Sequence, residues 1–142
     1  MIRRFWFFPF LVSALWIAGK PVGITVAQAP SDIYQEVYQG WKYWHVYCYR
    51  CHGQDALGST LAPTLIDPKL KRSLPDFLRF VRNGNPEKGM QAWDKLLDDK
   101  QITQIYTYVR ARADKVLPPG RPDEVGPKGG PWVPPAGWSR NK

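Results

Sequence analysis

The sequence predicts an all-α fold, and three observations carry that prediction. Apolar residues recur every three or four positions in several segments, which is the spacing of one helix face. Residues that cap helix starts precede these segments. Convincing alternating patterns, which would indicate β-strands, are missing. We therefore expect three to four helices, followed by a C-terminal segment of different character.

The first helix is expected to begin at Ser31 or Asp32, because either side chain can cap a helix start. Apolar residues then follow at spacings of four, four, three and four residues: Ile33, Val37, Trp41, Trp44 and Cys48. This spacing places them on one face of a single helix. The helix therefore leads directly into the segment that contains both cysteines of the chain.

The next helix is predicted from its start and stop signals. Ser73 is a suitable cap, Pro75 lies in the first turn, and the acidic Asp76 follows three residues after the cap. Phe77, Phe80 and Val81 share one face of this helix. Asn83 and Gly84 form a typical helix end.

The last helix is predicted to begin near Asp98, which forms a capping-box-like pair with Gln101. Its apolar stripe has the spacing i, i+3, i+4, i+7: Ile102, Ile105, Tyr106 and Val109. The helical pattern ends at about Ala113. A single domain is thus expected over residues 30–114.

Beyond this domain, residues 115–142 hold seven of the 14 prolines and five of the 12 glycines. This composition predicts an extended tail, partly in the polyproline II conformation. The tail also contains Trp132 and Trp138, which are unusual in a fully solvated segment. Three alternatives remain open: the tail wraps its own domain, it docks on a partner, or it is disordered.

The N-terminus has the pattern of a secretory signal peptide over residues 1–29. Arg3 and Arg4 precede an apolar run from residue 5 to residue 19, and small residues follow at Ala27 and Ala29. Cleavage is expected after Ala27 or Ala29. The run of 15 residues is shorter than the ~20 residues that a membrane-spanning helix needs, which favours cleavage over a retained membrane anchor.

The formal charge of the chain is +8, and without residues 1–29 it is +5, from 17 basic and 12 acidic residues. A modest excess of this kind favours an acidic protein partner or simple solubility. The basic residues lack the clustering that is typical of a nucleic-acid interface. We therefore expect no nucleic-acid partner.

The most specific motif is Cys48-Tyr49-Arg50-Cys51-His52. Two thiols at this spacing can each add to a vinyl group of one haem, and the adjacent imidazole can bind the iron. A thioredoxin-like dithiol would need strands alternating with helices, which are missing here. A zinc site would need four ligands, and His45 and His52 have the wrong spacing for one with these cysteines.

Residues 31–113 resemble the class I c-type cytochromes, the small monohaem periplasmic cytochromes c. The resemblance rests on the Cys48 to His52 motif, on Gly40 eight residues before Cys48, and on Trp44 four residues before it. It implies the cytochrome c fold around one covalently attached haem c. In that family the glycine allows the first and last helices to cross closely, and Ile105 and Tyr108 match the positions on the last helix that meet the first.

The resemblance also implies the residues that hold the haem. Cys48 and Cys51 attach it, and His52 and Met90 are the axial ligands of the iron. The carbonyl of Pro63 accepts a hydrogen bond from the histidine ring, and Trp93 matches an aromatic residue that follows the methionine. Gln91 stands where the family commonly has proline, so a less rigid methionine loop is expected.

A haem with both axial positions filled transfers electrons and has no open site for a substrate. The resemblance therefore implies a periplasmic electron carrier, not an enzyme, that is a monomer when free. Its partner would be a quinoprotein (alcohol) dehydrogenase or a terminal oxidase, and a retained N-terminus would anchor it to the membrane, facing the periplasm. The alternative is a haem enzyme or a gas or redox sensor with a displaceable sixth ligand. Basic residues that could steer an acidic partner lie between the proline loop and the methionine: Lys69, Lys71, Arg72, Arg79, Arg82 and Lys88.

Overall fold

The computed structural model describes residues 32–67 and 71–141. The predicted signal peptide (1–29), the alternative cap Ser31 and the basic Lys69 lie outside these residues, and the expectations for them stay predictions. The described part contains four α-helices and no β-strand: α1 (Asp32–Tyr43), α2 (Tyr49–His52), α3 (Leu74–Asn83) and α4 (Asp99–Ala113). None of the described helices is long and apolar enough to cross a membrane.

The first helix does not run without interruption into the cysteine motif. A π-helical turn, Trp44–Cys48, joins α1 to the short helix α2, and the Tyr49 amide donates to the Trp44 carbonyl five residues earlier. Such a turn holds one residue more than an α-helical turn and rotates the residues after it. Sequence spacing alone did not predict this turn.

Helices α1 and α4 cross closely, and the crossing requires the glycine at position 40. A Cβ atom at Gly40 would collide with the backbone carbonyl of Gln104 and would lie 3.0 Å from the Tyr108 Cβ. The rings of Trp44 and Tyr108 meet at 5.9 Å beside the crossing, and both side chains are fully buried. The close crossing implied by the resemblance is therefore present.

The caps predicted for α3 and α4 are confirmed. The Ser73 hydroxyl accepts from the Asp76 amide, and α3 ends before Gly84, which has a φ of 66°. The Asp98 carboxylate accepts from the Gln101 amide, while the Gln101 side chain accepts from the Asp98 amide. These signals could be identified from the sequence because they are local.

A buried ionic cluster lies behind the loop that follows His52. Asp55 and Arg112 are both buried, and the Arg112 Nε lies 3.7 Å from the Asp55 Oδ1. The same oxygen accepts from the Gly120 amide at 3.0 Å and from the Tyr108 hydroxyl at 3.4 Å. Asp55 has a φ of 57°, which is uncommon for a residue other than glycine. The cluster holds this loop conformation against α4 and against the start of the tail.

The tail packs on its own domain over the described residues 115–141. This is the first of the three alternatives that the sequence left open. Leu117 is 1% exposed and Trp132 is 5% exposed. The Trp132 indole donates to the Val116 carbonyl at 2.9 Å, and Arg140 pairs with Glu36 of α1. The tail consists of turns with one short 3₁₀ segment, Pro127–Gly129, and it forms part of the core.

Candidate haem site

A cavity of about 1040 Å³ lies between the cysteine motif, α3, α4 and the methionine loop. This volume is just above the range of ~300–1000 Å³ that is typical of cofactor pockets. All six residues predicted to hold the haem line this cavity: Cys48, Cys51, His52, Pro63, Met90 and Trp93. The structure thus brings together residues that are separated by up to 45 positions in the sequence.

The two cysteines are free thiols, with Cys48 half-buried and Cys51 exposed. Burial, and then the charge of Cys51, raises the pKa of Cys48 to about 12. Dithiol oxidoreductases depend on a thiol whose pKa is lowered. The environment of Cys48 therefore argues against the thioredoxin-like alternative, whereas haem attachment requires only that both thiols reach one cofactor.

His52 forms one wall of the cavity, and its ring is oriented by a backbone acceptor. Its Nδ1 lies 3.0 Å from the Pro63 carbonyl oxygen. A carbonyl can only accept, so Nδ1 carries the proton and Nε2 keeps its lone pair for a metal. The Trp44 ring lies 6.0 Å from the His52 ring, and the Trp44 indole donates to the Gly53 carbonyl at 3.2 Å. The fixed ring with an unprotonated Nε2 is what a histidine needs to bind iron.

Met90 lies on a loop that forms another part of the cavity wall. The Asn85 amide donates to the Met90 carbonyl at 2.7 Å, and the Met90 amide donates to the Asn85 carbonyl at 3.0 Å. These two bonds close the loop around the 3₁₀ turn Pro86–Lys88. Backbone pairing thus restrains the loop although Gln91 replaces the family's proline.

The backbone of Gly84 packs tightly against the residues that follow the methionine. A Cβ atom at Gly84 would lie 2.5 Å from the Gln91 carbonyl carbon and 2.6 Å from the Met90 carbonyl oxygen. The glycine therefore serves two purposes, since it ends α3 with a positive φ and leaves room for the methionine segment. The sequence predicted only the first of them.

Trp93 follows the methionine loop and fixes its C-terminal end to α3. Its amide donates to the carbonyls of Val81 and Arg82, both at 3.2 Å, so it is tied to the end of α3. Its ring meets the Tyr47 ring edge-on at 5.6 Å. Tyr47 comes from the π-helical turn, and this contact joins the two sides of the cavity.

The predicted basic surface divides into two groups. Lys71, Arg72 and Lys88 line the cavity, whereas Arg79 and Arg82 do not and instead pair with Asp76 and Asp99. Sequence reasoning missed two further cations that line the cavity, Arg50 and Arg110. No acidic side chain of residues 32–67 or 71–141 lines it. The charged side chains that line the cavity, among the residues that the structure describes, are therefore all basic. Arg110 could not be assigned from a local signal, because it lies far along the chain from the motif.

The donor set and the cavity fit a haem c. Two thiols, an imidazole with a free Nε2 and a thioether line one large cavity, and apolar side chains such as Phe77 and Val81 complete its wall. A thioether is a soft ligand that suits haem iron as an axial partner of imidazole. No group of three or more His, Cys, Asp or Glu residues in the described part of the chain could hold a separate metal ion.

Comparison with known proteins finds similarity to c-type cytochromes. A family model described as cytochrome c oxidase, cbb3-type, subunit III, matches residues 35–109. Cytochrome c-555 of Methylococcus capsulatus is 33% identical over 107 residues, which cover 73% of this chain and 85% of that protein. Cytochrome c-553I of Paracoccus denitrificans is 34% identical over 92 residues, or 60% of this chain and 41% of that protein.

A solved structure agrees with these sequence matches. The crystal structure of the c-type cytochrome XoxG from Methylobacterium extorquens AM1 matches with a TM-score of 0.56 and 31% identity. The match covers 61% of this chain and 56% of that one. The chain thus spans about half the length of two of these relatives and most of the third.

Proposed function

The chain belongs to the class I c-type cytochromes, and we propose that it is a single-electron carrier whose haem iron is bound by His52 and Met90. The fold is the all-α cytochrome c fold, and the cofactor is one haem c attached through Cys48 and Cys51. The observation that carries the proposal is that the imidazole and the thioether, 38 residues apart, line the same cavity as both cysteines.

Ligation by histidine and methionine determines what this site can do. Both axial positions of the iron are then filled, and the reduction potential is raised, so the bound haem supplies electron transfer. The protein keeps the His52 ring oriented through Pro63 and keeps the methionine loop closed through Asn85. No aspartate or glutamate of the described residues lines the cavity, which favours a carrier over an enzyme.

Substitution of the methionine tests this ligation. Met90→Ala should abolish the weak far-red absorption band of the oxidised protein, lower the reduction potential and allow carbon monoxide to bind the reduced protein. Lys95→Ala is the control, because Lys95 is exposed, lies five residues after Met90 and does not line the cavity, so the spectrum should be unchanged. An unaltered spectrum in Met90→Ala would exclude Met90 as the ligand. Rapid binding of carbon monoxide to the unsubstituted reduced protein would favour the alternative, a haem enzyme or a gas or redox sensor.

The partner is proposed to be an acidic redox protein, either a quinoprotein (alcohol) dehydrogenase as donor or a terminal oxidase as acceptor. The positive border of the cavity supports an acidic surface, because such charges steer and orient brief encounters. Trp132 is buried against its own domain, so this tryptophan no longer indicates that the tail docks on a partner. The family description names an oxidase subunit, so the oxidase is tested on equal terms with the dehydrogenase.

Electron exchange with both partner classes should be measured at low and high salt. Lys88→Glu, at the cavity, should slow exchange with the true partner and flatten its salt dependence. Lys100→Glu has the same charge change on an exposed residue away from the cavity and should have little effect. Equal effects of both substitutions would contradict docking at the cavity.

We propose that the protein works in the periplasm after cleavage of residues 1–29. N-terminal sequencing of the exported haem protein should give a start after Ala27 or Ala29. Recovery of the uncleaved protein in the membrane fraction would instead establish the membrane-anchored form.

A further inference from the structure

A smaller cavity of about 450 Å³ adjoins the haem cavity. Four residues line both cavities: Lys71, Arg72, Tyr106 and Arg110. Cys48 and Cys51 line only the larger one. The shared residues therefore mark an end of the haem cavity that lies away from the two cysteines.

The chemistry of this end suits negative charge. Three of the four shared residues are cations, and no acidic side chain from the described residues lines either cavity. A haem carries its two carboxylates on the edge opposite the vinyl groups that the cysteines capture. With Cys48 and Cys51 fixing one edge, the carboxylates belong at the end where Lys71, Arg72 and Arg110 meet.

The tail reaches this same end by contacting Asp114, the last residue of the domain, which follows α4. The Asp114 carboxylate accepts from the Lys71 ammonium at 2.5 Å and lies 3.5 Å from the Arg110 guanidinium. It also accepts from the Trp138 indole at 3.1 Å. Trp138 packs edge-on against the buried Trp132 at 6.0 Å, and Asn141 lines the smaller cavity. The tail thus covers the cationic end and shares a carboxylate with two of its cations.

We propose that the C-terminal tail covers the carboxylate end of the haem cavity and raises the reduction potential of the haem. Trp138 is the positioning residue, because it fixes Asp114, which in turn holds Lys71 and Arg110 in place. Nearby cations and the exclusion of water both favour the reduced haem, which carries one positive charge less than the oxidised haem. The proposal goes beyond electron carriage and depends on haem attachment, but not on the partner or on Met90.

The first test is the midpoint potential of Trp138→Ala, measured by spectroelectrochemical titration of the complete haem protein. Loss of the indole should release the tail end and lower the potential, shifting the redox equilibrium about tenfold, or about 59 mV for one electron. Val133→Ala is the control in the same tail, because Val133 is 65% exposed. Equal potentials for the two variants would overturn the proposal.

The second test asks whether Trp138 acts through Lys71. Lys71→Gln should lower the potential in the unsubstituted protein and lower it less in the Trp138→Ala background, since the ammonium is then no longer held. Lys88→Gln is the control, because Lys88 lines only the larger cavity and its effect should be the same in both backgrounds. Strict additivity of Trp138→Ala with Lys71→Gln would refute the positioning role.

A third variant keeps the test decisive if Trp138→Ala does not fold. Trp138→Phe retains a ring against Trp132 but removes the donor to Asp114. Trp138→Phe should lower the potential by less than Trp138→Ala. In its background, Lys71→Gln should again lower the potential less than it does in the unsubstituted protein. A potential equal to that of the unsubstituted protein would rule out the role of the indole. The far-red band should persist in all these variants, which separates this inference from the proposed ligation by Met90.

Discussion

The two sides of the cavity that carry the proposed iron ligands are built in different ways. His52 ends a short helix, directly after the attachment residue Cys51, and is backed by the fully buried Trp44. Met90 lies on a loop that two backbone hydrogen bonds with Asn85 hold closed. We call these the histidine wall and the methionine wall. The first depends on packing between distant parts of the chain, and the second depends on bonds within one short segment.

This difference predicts different responses to damage. The histidine wall shares its supports with the core, namely the α1–α4 crossing and the cluster around Asp55. Substitutions there should lower the free energy of unfolding of the whole domain. Substitutions in the methionine wall should change the spectrum of the iron with a smaller loss of stability.

The largest effect is expected from breaking the ionic cluster behind the histidine wall. Asp55→Ala leaves the guanidinium of Arg112 buried without its carboxylate, which typically costs about 3–5 kcal/mol. Chemical denaturation of the haem protein measures the loss. Glu124→Ala is the control, because its pairing with Arg121 is exposed and such pairs contribute about 0–1 kcal/mol. A loss for Asp55→Ala that is no larger than for Glu124→Ala would show that the cluster does not support this wall.

The next effect is expected at the helix crossing. Gly40→Ala places a methyl group against the Gln104 carbonyl, and overpacking of this kind typically costs about 1–3 kcal/mol. Gln35→Ala, at an exposed position of the same helix, should change the free energy of unfolding little. If the two variants unfold at the same denaturant concentration, α1 and α4 do not need the close approach.

A pair of glycines tests the methionine wall. Gly84 and Gly89 both have positive φ, 66° and 79°. Gly89 is in the left-handed region, where alanine costs about 1–2 kcal/mol, whereas Gly84 has a ψ of −164°, a conformation essentially restricted to glycine, so alanine costs more there. Only at Gly84 would the new Cβ also press on the backbone of residues 90 and 91. Gly84→Ala should therefore weaken or abolish the far-red band, whereas Gly89→Ala should keep it. Retention of the band in both variants would mean that the methionine wall tolerates displacement.

The smallest effect concerns acid. Hydrogen bonds from Ser73 and then Arg79 hold the pKa of Asp76 below its ordinary value, at the start of the helix that leads to the methionine wall. A lowered carboxyl pKa contributes stability above the ordinary aspartate pKa, and this contribution is lost as the pH falls through the folded value. Below about pH 4 the far-red band should weaken before the helical signal of the domain falls.

Ser73→Ala is the control for the acid experiment. It removes the first of these hydrogen bonds, so the pH at which the band weakens should move upward. If the far-red band and the helical signal are lost together, at the same pH, in both proteins, the two walls do not respond independently to acid.

Local signals in the sequence were sufficient for the frame of the domain. The caps at Ser73 and Asp98 were predicted because each depends on residues within three positions of it. Gly40 and Trp44 were assigned through the family pattern, and the structure places them at the helix crossing. The six predicted haem residues line one cavity, because the fold brings the motif and the methionine loop to the same space.

Other features could not be predicted, because they depend on contacts between distant residues. Nothing in the composition of the loop after His52 indicates that Asp55 is buried against Arg112, 57 residues later. The bridge between Asn85 and Met90 depends on backbone geometry that side-chain identity does not specify. The tail was left with three alternatives, because a proline-rich composition excludes regular elements but does not say whether Trp132 has a surface to pack on.

The bond from the Gly120 amide to Asp55 joins residues 65 positions apart, so it bears on the order in which the chain folds. Closing a long loop costs more conformational entropy than closing a short one, so we expect this contact to form after the local ones. The loop after His52 therefore gains its final support only when the segment beyond α4 has arrived. Before that contact forms, the segment with Cys48 and Cys51 lacks its final support. We therefore expect haem attachment to these thiols to be possible before the domain is completely folded.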